Sequence, residues 1–274
     1  MTDVATDPLA IAAATLLNNA GVGVDRHLSD LLAAGAEHAP ACYLADPDAA
    51  RAARTNPLLY TAHRDILPPK QAQGTEWFAD LVVYQPSHLP GGELNRSIGH
   101  WNTPAQLEVF EVLSGQVLMI TAGYSASGAP VLHWQVCMPG DLVAVPFGAW
   151  HQTAVLDGPA TVFNIYADLP GIPQQHTSRH AAHHADVKYR SSAPVEITAI
   201  RTGTGFALAG SRHGQEHWGA GRQTAEPPWL REAVGPGGLV DLHTFASDDR
   251  LALLEDAART HLPPSRAFGR EESP

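Results

Sequence analysis

A mainly β fold, an antiparallel sandwich or barrel, is what this 274-residue sequence predicts. Three observations carry that prediction. Short apolar or alternating runs recur at residues 81–84, 107–113, 116–121, 131–138, 142–145 and 161–166. Tight-turn motifs lie between them, Pro90-Gly91-Gly92, Ser114-Gly115, Ser127-Gly128 and Pro139-Gly140-Asp141, each a hairpin candidate. The 24 glycines and 22 prolines also exceed what a helical bundle accommodates.

Ahead of the strands the chain reads as helical. Asp7 and Pro8 form an N-cap and N1 pair, residues 9–19 are good helix formers, Gly21 is placed to end the run, and a second helix is expected over 25–34. Beyond Pro170 comes a His-rich polar stretch, 174–190, read as a solvated linker. A strand at 195–201 and a Gly-rich stretch at 203–221 follow, and Ser247 or Asp248 caps a last helix ending near His261, before a frayed 263–274. The expected organisation is an N-terminal helical extension over 1–55, a barrel over 56–170, and a C-terminal α/β extension over 171–274 packed on the barrel.

Seventeen basic against 28 acidic residues give a formal net charge of −11, which repels a phosphate backbone and excludes nucleic acid as a partner. No run approaches the roughly 20 apolar residues of a membrane span. Asp3 and Asp7 stand where a signal peptide would carry basic residues, so a cytoplasmic protein is expected. Cys42 and Cys137 are too few for a disulfide framework and are read as reduced thiols.

The chemistry concentrates between Gly99 and His151. On a strand, His100 and Asn102 share a face, and Glu108 shares its face with Phe110 and Val112, which turns a carboxylate toward the interior. Burying an ionised carboxylate is expensive unless it is paired or binds a cation, and His100 and His151 are natural co-ligands. Glu111 falls on the opposite face and is read as surface, and His133 as a half-exposed strand residue. His213-Gly214-Gln215-Glu216-His217 matches the H-x-x-E-H zinc signature, but the surrounding glycines argue against the helix it needs. His176, His180, His183 and His184 are read as part of the linker, and Gly203-Thr204-Gly205 is set aside as a phosphate loop because it lacks a lysine.

The Gly99-His100-Trp101-Asn102, Glu108, Gly115, Pro139-Gly140-Asp141 and Pro146…His151 pattern resembles that of the cupins. More narrowly, Asn56-Pro57-Leu58-Leu59-Tyr60, Arg64-Asp65, Gly92-Glu93-Leu94-Asn95-Arg96-Ser97-Ile98-Gly99-His100 and Val145-Pro146-Phe147-Gly148-Ala149-Trp150-His151-Gln152-Thr153 are similar to the metal-dependent, cupin-type glucose-6-phosphate isomerases, over about residues 56–168. The resemblance implies a single cupin (jelly-roll) β-barrel with N-terminal helices and a C-terminal α/β extension. It implies one divalent metal (Fe²⁺, Mn²⁺, Ni²⁺ or Zn²⁺) on His100, Glu108 and His151, with Asn102 where the family has a second histidine. It further implies Glu108 as the base that moves a proton between adjacent carbons of a small-molecule sugar phosphate, Ser97, the Gly99 amide and Tyr60 as phosphate-binding residues, and a homodimer. Two departures stand out: Asn102 is a weaker donor than imidazole, and Tyr166-Ala167-Asp168-Leu169-Pro170-Gly171-Ile172-Pro173 lacks the His and Tyr that follow the family's last strand. A cupin recruited to Fe²⁺/oxygen chemistry and a non-catalytic sugar-binding cupin remain as alternative readings.

Overall fold

The computed structural model describes residues 7–37, 42–172 and 195–262. Strand outweighs helix among them, 41% against 27%, so the fold is mainly β. Ten strands form one sheet: β1 (Val24–His27), β2 (Leu58–His63), β3 (Lys70–Ala72), β4 (Thr75–Tyr84), β5 (His100–Trp101), β6 (Gln106–Tyr124), β7 (Pro130–Cys137), β8 (Leu142–Val145), β9 (Trp150–Asp168) and β12 (Arg222–Gln223). Their order is β1-β2-β4-β9-β6-β7-β12, with β3 on β4, β5 on β9 and β8 on β6. All pairs within it are antiparallel except β12 with β7. The sheet thus reaches beyond both ends of the 56–170 stretch. A separate hairpin joins β10 (Ile197–Thr202) to β11 (Gly205–Gly210), with Gly203 and Thr204 in its turn.

The two 19-residue strands β6 and β9 are the spine of the jelly roll. The first half of β6 pairs with β8 and its second half with β7, while β9 meets β5 at its start and β4 at its end. The turn expected at Ser114-Gly115 is instead a bulge inside β6, where the register against β9 shifts between Val112 and Val117. Gly115 has φ +76° there, and a Cβ on it would lie 2.5 Å from the Pro159 carbonyl oxygen. The runs expected as two strands are therefore one bent strand. The turns at Ser127-Gly128 and Pro139-Gly140-Asp141 do separate β6, β7 and β8.

Ahead of the bulge, alternation sorts β6 into two buried faces. Phe110 and Val112 pack inward with Tyr60, Tyr84, Val143 and Val145. Leu107, Val109 and Leu113 face outward, yet they are buried, because helices cover that side. These are α1 (Pro8–Asn19) and, C-terminally, α5 (Pro228–Val234), α6 (Gly238–Thr244) and α7 (Asp248–His261), through Leu16, Leu230, Leu239, Leu251 and Leu254. Glu111 belongs to this covered side, so the surface assignment is overturned: it is 2% exposed and its carboxylate accepts the Leu239 N–H at 2.7 Å.

The first third is less helical than expected. α1 forms with Asp7 Oδ1 accepting the Leu9 N–H. The second predicted helix starts late, however: residues 24–27 pair with β2 as β1, and α2 (Leu28–Glu37) follows, then α3 (Pro47–Ala52). The H-x-x-E-H segment is a helix after all, α4 (Arg212–Trp218), capped by the Ser211 hydroxyl and closed by Gly219 at φ +67°. Gly214 is needed inside it because a Cβ would lie 2.5 Å from the Glu196 carbonyl oxygen. His133 is half-buried opposite Arg222. The expectations for 174–190 and 263–274 lie outside the described residues. Among the described residues no helix is long and apolar enough to cross a membrane.

Candidate metal centre

β5 lies on the start of β9, with His100 opposite His151 and Trp101 opposite Trp150. Three features hold it there. The Ser97 N–H donates to the Thr153 carbonyl at 2.9 Å, and the Ser97 hydroxyl accepts the Thr153 N–H at 3.1 Å. Gly99, at φ +79°, lets the backbone close on the Trp150 indole; a Cβ would sit 2.5 Å from its ring. The Asn102 N–H continues the ladder to the Ala149 carbonyl at 2.9 Å. The imidazoles of His100 and His151 are consequently neighbours, with centroids 4.4 Å apart at 66°.

Glu108 approaches from β6, opposite Val145 of β8 and Tyr166 of β9. It is 2% exposed. Its Oε1 accepts Asn164 Nδ2 at 2.9 Å, its Oε2 accepts Gln106 Nε2 at 3.3 Å, and Oε2 stands 3.7 Å from His151 Nε2. One ligand atom each from His100, Glu108 and His151 lie within 4.8 Å of one another. Ligand bonds of about 2.0–2.2 Å put neighbouring donors about 3–4 Å apart, so a modest contraction fits a divalent cation. Among the described residues this is the one cluster of three or more such side chains. His213 and His217 stack on α4, but Glu216 is engaged by Arg212 and His217 Nε2 by the Tyr124 hydroxyl at 3.0 Å.

Asn102 is 5% exposed, and among the described residues neither its Oδ1 nor its Nδ2 has a hydrogen-bond partner. A buried amide left so costs about 1–3 kcal/mol for each unmet group, which a buried water or a bound ligand would offset. Tyr60 packs on Tyr84, centroids 5.4 Å apart, in the apolar core that also holds Phe110. Ser97 and Gly99 flank the centre through the backbone roles above.

Sequence reasoning missed several residues of this wall. Asn164 interrupts the apolar run at 161–166, and Gln106 stands two before Glu108; polarity at an inward position was the available signal. Asp80, fully buried, accepts Arg64 Nη1 at 2.5 Å and the Asp65 N–H at 2.9 Å. It stands opposite Asn164, while Phe78 stacks on Tyr166 at 5.4 Å. Burial, reinforced by Asp80 and Asp65, pushes the Tyr166 hydroxyl well above its ordinary range.

No family model and no curated protein matches the chain. Solved structures resemble parts of it. A sugar phosphate isomerase from a cupin superfamily, from Silicibacter pomeroyi, is 17% identical over 56% of this chain and 76% of its own, with a TM-score of 0.29. KdgF from Halomonas sp. is 12% identical over 41% and 81%, with a TM-score of 0.28. An RmlC-like cupin from Shewanella frigidimarina is 12% identical over 41% and 78%, with a TM-score of 0.25. Two of the three are described as cupins. At these scores the residues themselves must carry the function.

Proposed function

We propose that the protein is a metal-dependent, cupin-type enzyme that acts on an oxygen-rich small molecule. The observation that carries this reading is the convergence of His100, Glu108 and His151 in a buried site with donor atoms within 4.8 Å. A bound divalent metal would polarise substrate oxygens there and stabilise the negative charge that develops on them. Glu108, buried beside the two histidines, would serve as the base that takes up and returns a proton on an adjacent substrate carbon. Asn102 offers a hydroxyl or carbonyl both a donor and an acceptor. The reaction these groups serve best is aldose–ketose interconversion, with a sugar phosphate as the substrate class suggested by the sequence motifs.

Metal analysis of the purified protein tests the centre: close to one equivalent of a divalent transition metal is expected, and activity should disappear on chelation and return with metal. Glucose-6-phosphate and other sugar phosphates are the first substrates to assay. Glu108→Gln should abolish turnover while retaining part of the metal, and turnover that survives removes Glu108 as the base.

A second reading is favoured by the ligand set itself. Two histidines and one carboxylate, with positions left open, are the set used by non-haem Fe²⁺ oxygenases. Oxygen consumption that requires both Fe²⁺ and substrate would select it over isomerisation.

A further inference from the structure

Asn164 is 2% exposed and stands on β9 between Phe163 and Ile165, which face the opposite, helix-covered core. It is paired across the sheet with Phe110 of β6 and Asp80 of β4, so its amide lies on the interior wall beside Glu108. A polar side chain amid Val162, Phe163 and Ile165 needs a reason, and the bond from its Nδ2 to Glu108 Oε1 at 2.9 Å supplies one. The amide orientation follows from chemistry: an ionised carboxylate only accepts, so the NH₂ must face it.

The two oxygens of Glu108 are therefore not equivalent. Oε1 is held by Asn164 at 2.9 Å, whereas Oε2 faces His151 at 3.7 Å. Gln106 Nε2 reaches the same Oε2 at the longer distance of 3.3 Å, a weaker hold than that of Asn164 on Oε1.

We infer that Asn164 is a positioning residue that makes Glu108 a one-oxygen metal ligand, through Oε2, and thereby keeps a coordination position open for substrate. This rests on the metal-centre reading above. Without the amide, the carboxylate is free to turn and offer both oxygens, which closes a position that substrate would use. The role is distinct from that of Asn102, whose amide is not engaged with Glu108.

The test uses the full chain stripped of metal and reloaded with Mn²⁺. The Mn²⁺ dissociation constant and the number of metal-bound waters are measured, the latter by water relaxation. Asn164→Leu, nearly isosteric but without a donor, should weaken Mn²⁺ binding about tenfold or more, as outer-shell partners of metal ligands do, and should lose one bound water. Asn164→Gln, which keeps an NH₂ group, should recover most of both and provides a readout if the leucine variant folds poorly. Mn²⁺ affinity within twofold of the parent and an unchanged water count in the folded Asn164→Leu protein would make the residue merely structural and overturn the inference alone. A parent protein that takes up no Mn²⁺, Fe²⁺, Ni²⁺ or Zn²⁺ would overturn the metal-centre reading, and this inference with it.

Discussion

Glu108 and Glu111 stand three residues apart on one strand and show what a sequence can and cannot reveal about a single residue. Glu108 was legible because its same-face neighbours Phe110 and Val112 are apolar, which announces an interior. Glu111 was not, because what covers it is α6, more than a hundred residues away. Burial raises the Glu111 pKa from 4.5 to about 7, partly offset by the Leu239 N–H, with Arg231 lowering it and Asp241 raising it. A carboxyl whose folded pKa lies above its unfolded value adds stability that is full below about pH 4.5 and is lost as pH rises through 7. At 1.36 kcal/mol per unit, the loss is about 3 kcal/mol. Glu111→Gln keeps an acceptor for Leu239 and removes the titration. Denaturation at pH 5.5 and 8 should therefore show the variant gaining on the parent at the higher pH, and parallel pH profiles would refute the assignment. Asn102 supports a second expectation at this scale. Asn102→His should tighten Ni²⁺ or Zn²⁺ binding tenfold or more, because imidazole is the better donor for such metals. Calorimetric titration that finds no gain would place residue 102 outside coordination reach.

At the level of elements, the strands were readable from their alternation and the bends were not. Ser114-Gly115 has turn chemistry, yet a left-handed glycine serves a bulge as well as a hairpin, and only the partner strand decides between them. Likewise α4 forms because Ser211 caps it and Gly219 ends it, so glycines that argue against a helix on propensity alone are here its boundary and its contact with Glu196. The element that matters most for chemistry is the shortest, β5, since its seating on β9 decides whether His100 meets His151. Gly99→Ala puts a Cβ 2.5 Å from the Trp150 ring at a backbone angle unsuited to an L side chain, so β5 must shift. Metal affinity should then fall at least tenfold while the melting temperature drops by only a few degrees, because the clash meets only the first residues of β9 and leaves the rest of its pairing with β6 and β4 in place. Unchanged metal affinity would show that β5 does not set the geometry.

Across the whole molecule, the two terminal regions are tied to the barrel by polar contacts that no local pattern announces. Glu93, 1% exposed, accepts Arg96 Nε at 2.5 Å and the Thr198 hydroxyl at 2.7 Å on Oε1, and the Ala45 N–H at 2.9 Å on Oε2. Arg96 is fully buried and also reaches the Ser97 carbonyl at 3.0 Å, the Tyr43 carbonyl, and Cys42 Sγ at 3.6 Å. Burial works against the Arg96 charge, but Glu93 and Cys42 together outweigh it and raise the pKa, so the guanidinium stays charged. One ion pair thus joins the segment before α3, the loop ahead of β5 and strand β10. Removing one partner leaves an uncompensated buried charge, which costs about 3–5 kcal/mol, whereas removing both charges costs much less. Arg96→Met and Glu93→Gln should each be strongly destabilising in chemical denaturation, and the double variant should fall well short of their sum, because no charge is stranded and the glutamine oxygen can accept the Ala45 N–H while its NH₂ donates to the Thr198 hydroxyl oxygen. The same variants test whether the extensions and barrel are one cooperative unit. If they are, Arg96→Met shifts a single transition to lower denaturant as a whole. Two separate transitions, with the barrel's midpoint unmoved, would mean that the extensions open on their own and that the buried pair stabilises only their docking.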